Sequence, residues 1–153
     1  MADTLRLALV GCGAIAPYHL GGIREGSGRI RVTAAVDSDR GRAEAIAGQT
    51  GAKVFTALEE ALASQTFDAV DIMLPHDLHE WAATTCFAAG KHVLLEKPMA
   101  PDLAACDRIL AAARASGRAF LVAENAQYWP EIVRAQALIR EGAIGELITA
   151  RAA

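Results

Sequence analysis

Short apolar runs alternate along this chain with longer stretches in which apolar side chains return every three or four residues. The runs at 5–10, 30–36, 53–55, 69–74, 92–96 and 119–123 predict β-strands. The stretches at 14–24, 39–47, 78–89 and 101–116 predict helices, with a shorter one opened by the capping box Thr56-Ala57-Leu58-Glu59 and running to Ser64. Pro17 fits the first helical turn, where its missing N–H has no intrahelical partner in any case. Gly48, Gly90 and Gly117 read as helix stops.

Strand and helix in strict alternation predict an α/β fold: a doubly wound, parallel, six-stranded sheet with helices on both faces. Val93-Leu94-Leu95 is apolar without interruption, as expected of a strand covered on both sides. After residue 123 the pattern changes. A polar and aromatic loop spans 125–130, and an amphipathic helix over 131–141 carries Ile132, Ala135, Leu138 and Ile139 on one face. Gly142-Ala143-Ile144-Gly145 then turns into a further expected strand at 146–150. That strand has no evident partner, so it is expected to pair with another copy, as a homo-oligomer, or to cover an apolar face. Residues 1–123 are thus read as one domain. Residues 124–153 are read as a linker helix and the first strand of an incomplete second one.

Composition narrows the function. Hydrophobic residues make up 53% of the 153 residues and charged residues 22%, which predicts a packed core rather than disorder. The formal charge of −3, with Lys and Arg scattered, gives no footprint for nucleic acid. No apolar run reaches the length of a membrane span, and no signal peptide is expected at the start. Cys12, Cys86 and Cys106 lack C-x-x-C spacing and read as reduced thiols of a cytoplasmic protein. Cys12 reads as a small filler in its turn, not a nucleophile.

The candidate chemistry begins where strand 5–10 runs into Gly11-Cys12-Gly13-Ala14-Ile15-Ala16. A first glycine permits the tight turn, a second lets backbone N–H groups approach a pyrophosphate, and a third small residue lets the helix pack on the strand. Asp37 lies at the end of the next strand, 21 residues beyond Ala16, where a carboxylate would meet a ribose 2′-hydroxyl. Asp37 could instead cap a helix, as Ser38 or Asp39 could. A ribose carboxylate repels a 2′-phosphate, which favours NAD; Arg40 and Arg42 keep NADP open. The turn alone would also suit S-adenosylmethionine. Histidines 76 and 79 beside Asp77 and Glu80 do not have the spacing of a metal site. Trp81 and Phe87 read as core.

The glycine turn, Asp37, Leu74-Pro75-His76-Asp77-Leu78-His79, Glu96-Lys97-Pro98 and the Asn125…Pro130…Gly142-Ala143-Ile144-Gly145-Glu146 tail together resemble the glucose-fructose oxidoreductase, inositol dehydrogenase and rhizopine-catabolism (Gfo/Idh/MocA) family. The resemblance covers essentially the whole chain. It implies a Rossmann-type cofactor domain followed by the beginning of an α+β substrate domain. It also implies hydride transfer between a nicotinamide and an alcohol or ketone carbon of a sugar, polyol or cyclic alcohol. Lys97 is then the catalytic residue, bonding a substrate hydroxyl and stabilising charge on its oxygen. Gly11, Gly13, Ala14, Ile15, Ala16, Asp37, Ser38, Arg40, Leu74, Pro75, His76, His79, Glu96, Lys97 and Asn125 would line the cofactor. His79 could equally bond a backbone carbonyl. His19 is expected to support the phosphate-loop helix. The family's Asp-x-x-x-His does not follow Lys97, so the 153 residues are expected to bind NAD but to turn over poorly. A nucleotide-sensing relative of the same fold is the alternative.

Overall fold

A computed structural model describes residues 4–26 and 28–151. It divides into two compact units, residues 1–123 and 124–153. The first is a six-stranded parallel sheet: β1 (Leu5–Val10), β2 (Ile30–Val36), β3 (Lys53–Phe55), β4 (Ala69–Ile72), β5 (His92–Leu95) and β6 (Phe120–Val122). Their order is β3-β2-β1-β4-β5-β6, every neighbouring pair parallel. The chain therefore starts in the middle, winds outward through β2 and β3, and returns to wind the other way. The crevice between β1 and β4 is where this reversal happens, and ligands of open α/β sheets bind at that point.

Alternation along each strand sends side chains into two layers. Ala8, Val10, Val70, Ile72, Val93 and Leu95 pack with α3 (Leu58–Ala63), α4 (His79–Ala88) and α5 (Leu103–Ser116). Leu7, Leu9, Ala69 and Met73 pack with α1 (Ala16–Glu25) and α2 (Arg40–Thr50). A register shift between Leu7 and Ala8 inserts Thr33 into β2. This explains why Val32 and Ala35 share one layer while Ala34 and Val36 face the other. Burial of this kind stabilises by roughly 25 cal/mol per Å² of apolar surface.

Helix ends depart from the sequence reading in instructive ways. α2 runs past Gly48 and stops at Gly51, whose φ of 73° is the left-handed cap conformation. An interior glycine costs only about 1 kcal/mol, whereas the cap requires the positive φ. The expected capping box does not form: α3 begins at Leu58 on an extended Ala57 with no side-chain cap. α4 is preceded by a single 3₁₀ turn at His76–Leu78. α5 is capped by Asp102, whose side chain accepts from the Ala105 N–H at 2.8 Å. The second unit holds a 3₁₀ turn, Ala126–Tyr128, and α6 (Pro130–Arg140). Residues 146–150 form no strand, correcting the expectation. A strand is sustained by hydrogen bonds to a neighbour, and none pairs with this segment among the described residues.

Candidate functional site

The carboxyl ends of β1, β2, β4 and β5 meet along one rim. Backbone bonds continue past the strands: Gly11 N donates to Val36 O, Met73 N to Val10 O and Glu96 N to Ile72 O. Gly11 has φ +91°, and a Cβ there would stand 2.6 Å from the Met73 carbonyl oxygen. No residue with a side chain fits. Gly13 differs, because a Cβ there meets nothing within 4 Å. It faces a cavity of about 400 Å³ lined by Gly11, Asp37, Ser38, Arg42, Met73, Leu74, Pro75 and Leu78. α1 opens on this side at Ile15 without a side-chain cap. The positive end of its dipole thus lies at an open cradle suited to an anion, while the Ala16 and Tyr18 N–H groups bond the Gly13 and Ile15 carbonyls. Ala16 is fully buried beneath it, consistent with a small residue where helix meets strand.

Asp37 spans the mouth. One carboxylate oxygen accepts from Cys12 N–H and the other from Asp39 N–H, each at 2.8 Å. The helix-capping role belongs to Asp39, which accepts from Gly41 and Arg42 N–H groups. Asp37 instead ties the glycine turn to the β2–α2 loop and keeps its charge at the cavity wall. Burial, and then Asp37, push the Cys12 thiol up to about 11, so it is no nucleophile at neutral pH. Arg40 points into an exposed pairing with Glu44 at 3.7 Å, and it is Arg42 that lines the cavity.

Beside it lies a cavity of about 500 Å³ lined mainly by apolar atoms, including Val10, Val36, Leu58, Leu74, Leu78 and Trp81. Trp81 is 44% exposed here, correcting its assignment to the core; Phe87 is 2% exposed and does belong there. Thr56 and Leu58 were missed as candidates. The available signal was their place just past β3, at the same rim as the other loops.

Lys97 follows β5 at this edge and is exposed. Among the described residues its ammonium has no ion pair. Its N–H donates to Glu96 Oε2 at 2.7 Å, and a cis peptide bond joins it to Pro98. His79 is fully buried and bridges two rim loops, with Nε2 2.9 Å from Leu74 O and Nδ1 3.0 Å from Pro98 O. His76 is exposed and stacks edge-on against it at 5.4 Å. Both are positioned by the turn into α4. Glu96 turns toward α1, where its Oε1 lies 3.1 Å from His19 Nε2. The other ring nitrogen meets Asp71 Oδ2 at 2.8 Å. His19 therefore binds α1 to β4 and to the end of β5, not to the glycine turn. Asp71 was missed: a carboxylate inside a covered parallel strand must find a partner, which is the signal the sequence offered. Asn125 belongs to the second unit, and the other candidates to the first. No group of His, Cys, Asp and Glu among the described residues could hold a metal ion.

Residues 5–124 match the family model described as "Oxidoreductase family, NAD-binding Rossmann fold". The chain is 31% identical over 153 residues to inositol 2-dehydrogenase of Corynebacterium glutamicum strain R, covering 99% of this chain and 45% of that protein. It is 34% identical over 146 residues to inositol 2-dehydrogenase 1 of Saccharopolyspora erythraea, covering 94% and 43%. The WlbA dehydrogenase of Bordetella pertussis, solved with NADH and UDP-GlcNAcA, superposes with a TM-score of 0.88 at 29% identity, over 95% of this chain and 42% of that one. The chain thus spans less than half the length of these relatives. A glycine turn at the β1–β4 reversal, a rim lysine after β5 and the match over residues 5–124 lead to one assignment: the chain belongs to the Gfo/Idh/MocA oxidoreductase family and carries its NAD-binding Rossmann fold.

Proposed function

We propose that this chain is the cofactor-binding part of an NAD-dependent oxidoreductase acting on an alcohol or ketone carbon of a sugar, polyol or cyclic alcohol. The observation that carries the reading is the shared rim: the Gly11 turn and Lys97 stand at the ends of β1 and β5, flanking β4 at the sheet's reversal. The uncapped α1 terminus and the open face of Gly13 suit a diphosphate, while Asp37 suits a ribose diol. The cavity beside Leu58, Leu74 and Trp81 suits an adenine, being lined mainly by apolar atoms. A fixed carboxylate at Asp37 disfavours a 2′-phosphate, which supports NAD over NADP. When bound, the nicotinamide accepts or supplies hydride at the substrate carbon. Lys97, which has no ion pair among the described residues, holds its ammonium toward the substrate oxygen and stabilises charge there.

Domain roles follow: residues 1–123 hold the cofactor, and residues 124–153 lead into the part that closes over substrate. The same reading makes the protein cytoplasmic, supported by three free thiols. It also makes it a homo-oligomer, supported by an apolar sheet face on which Leu5, Ile30 and Leu121 are exposed. No described helix is long and apolar enough to cross a membrane. The test is NADH fluorescence titration of the chain, with NADPH as competitor. Saturable binding of NADH, and NADPH at least about tenfold weaker, is expected. In an enzyme of the relatives' length, Lys97→Ala should lower turnover about 10²–10³-fold with NADH affinity kept. Full turnover by the Lys97→Ala enzyme would end the reading.

A further inference from the structure

His19 stands between two carboxylates from different strands, and one of them reaches on to Lys97. Asp71 projects from β4 and is 2% exposed, His19 from α1 at 15%, Glu96 from the end of β5 at 14%. Carboxylates only accept, so the ring makes both contacts only when both nitrogens carry hydrogen. The Asp71 bond foremost, and Glu96 after it, raise the His19 pKa against the opposing effect of burial. β1 presents Leu7 and Leu9 to this layer, and the nearby Cys12 thiol stays protonated. Asp71 Oδ1 is buried without a partner, so His19 is the counter-charge on which Asp71 depends.

Glu96 uses its two oxygens differently: Oε1 faces His19 and Oε2 accepts the Lys97 N–H. We infer that His19 is a positioning residue, which through Glu96 fixes the backbone of Lys97 at the nicotinamide end of the crevice. The inference rests on the NAD reading proposed above and adds the group that sets the lysine's place. It follows that His19 governs the nicotinamide half of the ligand and leaves the diphosphate and adenine half alone, since neither its ring nor its partners line those cavities.

ADP-ribose, which lacks the nicotinamide, separates the two halves. In His19→Gln, NADH should bind about tenfold more weakly while ADP-ribose binds as before. The Lys97 amide resonance should move in this variant. In the unsubstituted chain it should titrate with the same midpoint as the His19 ring nitrogens, an arm that needs no variant should His19→Gln fail to fold. Equal weakening of both ligands would make His19 a mere tie for α1 and overturn the inference, as would a Lys97 amide that ignores the His19 titration. Should the unsubstituted chain bind neither ligand, the NAD reading falls, and the amide titration still decides whether His19 reaches Lys97.

Discussion

At Gly11 the rim is shaped by backbone with a single side chain, Asp37, bracing the turn, whereas at Lys97 it is held by several side chains reaching in from other elements. The glycine end owes its form to a φ of +91° and to contact with the Met73 carbonyl. The lysine end owes its form to His79, which ties Pro98 to Leu74, and to Glu96, which ties Lys97 to α1 through His19. A surface that must take a diphosphate benefits from bare N–H groups and no competing side chain. A surface that must aim one ammonium needs struts. The two ends should therefore fail differently when altered.

Gly11→Ala should be the most damaging change. Alanine at this φ is strained by about 1–3 kcal/mol, and its Cβ would collide with backbone that cannot swing aside. A loss of about 3 kcal/mol or more is expected in urea denaturation, with the fold itself failing before binding can be measured. Stability within 1 kcal/mol of the unsubstituted chain would show that the turn is softer than its geometry implies.

His79→Gln comes next. It keeps a donating amide but not the ring's reach between Leu74 O and Pro98 O, so one tie between the rim loops is lost, at about 1 kcal/mol. Because Leu74 lines both cavities while Pro98 adjoins Lys97, NADH and ADP-ribose should both weaken, NADH the more. A variant that loses both alike would erase the distinction between the two ends.

The sequence carried the glycine end more fully than the lysine end, for a physical reason. Gly11, Gly13 and Ala16 belong to one contiguous turn, and Asp37 closes the same strand-turn-helix unit, so local pattern exposes them even though the Met73 carbonyl that excludes a side chain at Gly11 is distant in sequence. Glu96-Lys97-Pro98 was legible as a tripeptide, but what holds it was not. His19 meets Asp71 across 52 positions and Glu96 across 77, and only the sheet order brings them together. The errors were likewise local rules overruled by context. Gly48 is a helix breaker by preference, yet the chain closes its helix at Gly51. Thr56 and Glu59 match a capping box, but both line a cavity at the end of β3 instead. Leu147-Ile148-Thr149 has the residue types of a strand, though pairing, not composition, makes one.

Gly13→Ala is the smaller test at the glycine end, and it isolates binding from folding. Open space surrounds the added methyl, so stability should stay within about 0.5 kcal/mol. The methyl would, however, occupy the approach of a diphosphate to the backbone. NADH and ADP-ribose should both weaken by about tenfold, or about 1.4 kcal/mol. That joint, equal loss is the mirror of the His19 variant, which spares ADP-ribose.

The smallest effect expected is a pH dependence confined to the lysine end. The His19 pKa is raised in the folded chain, through Asp71 first and Glu96 second, above its ordinary value of 6.5. The folded state then binds a proton that the unfolded state has released, so stability falls as pH rises. The contribution is fully present below about pH 6.5 and is lost as pH climbs through the folded value. Melting temperatures of the unsubstituted chain and of His19→Gln should accordingly converge as pH rises above 6.5, and lie furthest apart below it. Gly13→Ala keeps His19 and its partners, so its melting curve should shift with pH in parallel with the unsubstituted chain. Divergence of the His19→Gln pair toward high pH would mean that the ring is held neutral between its carboxylates, and that the strut works by hydrogen bonding without charge.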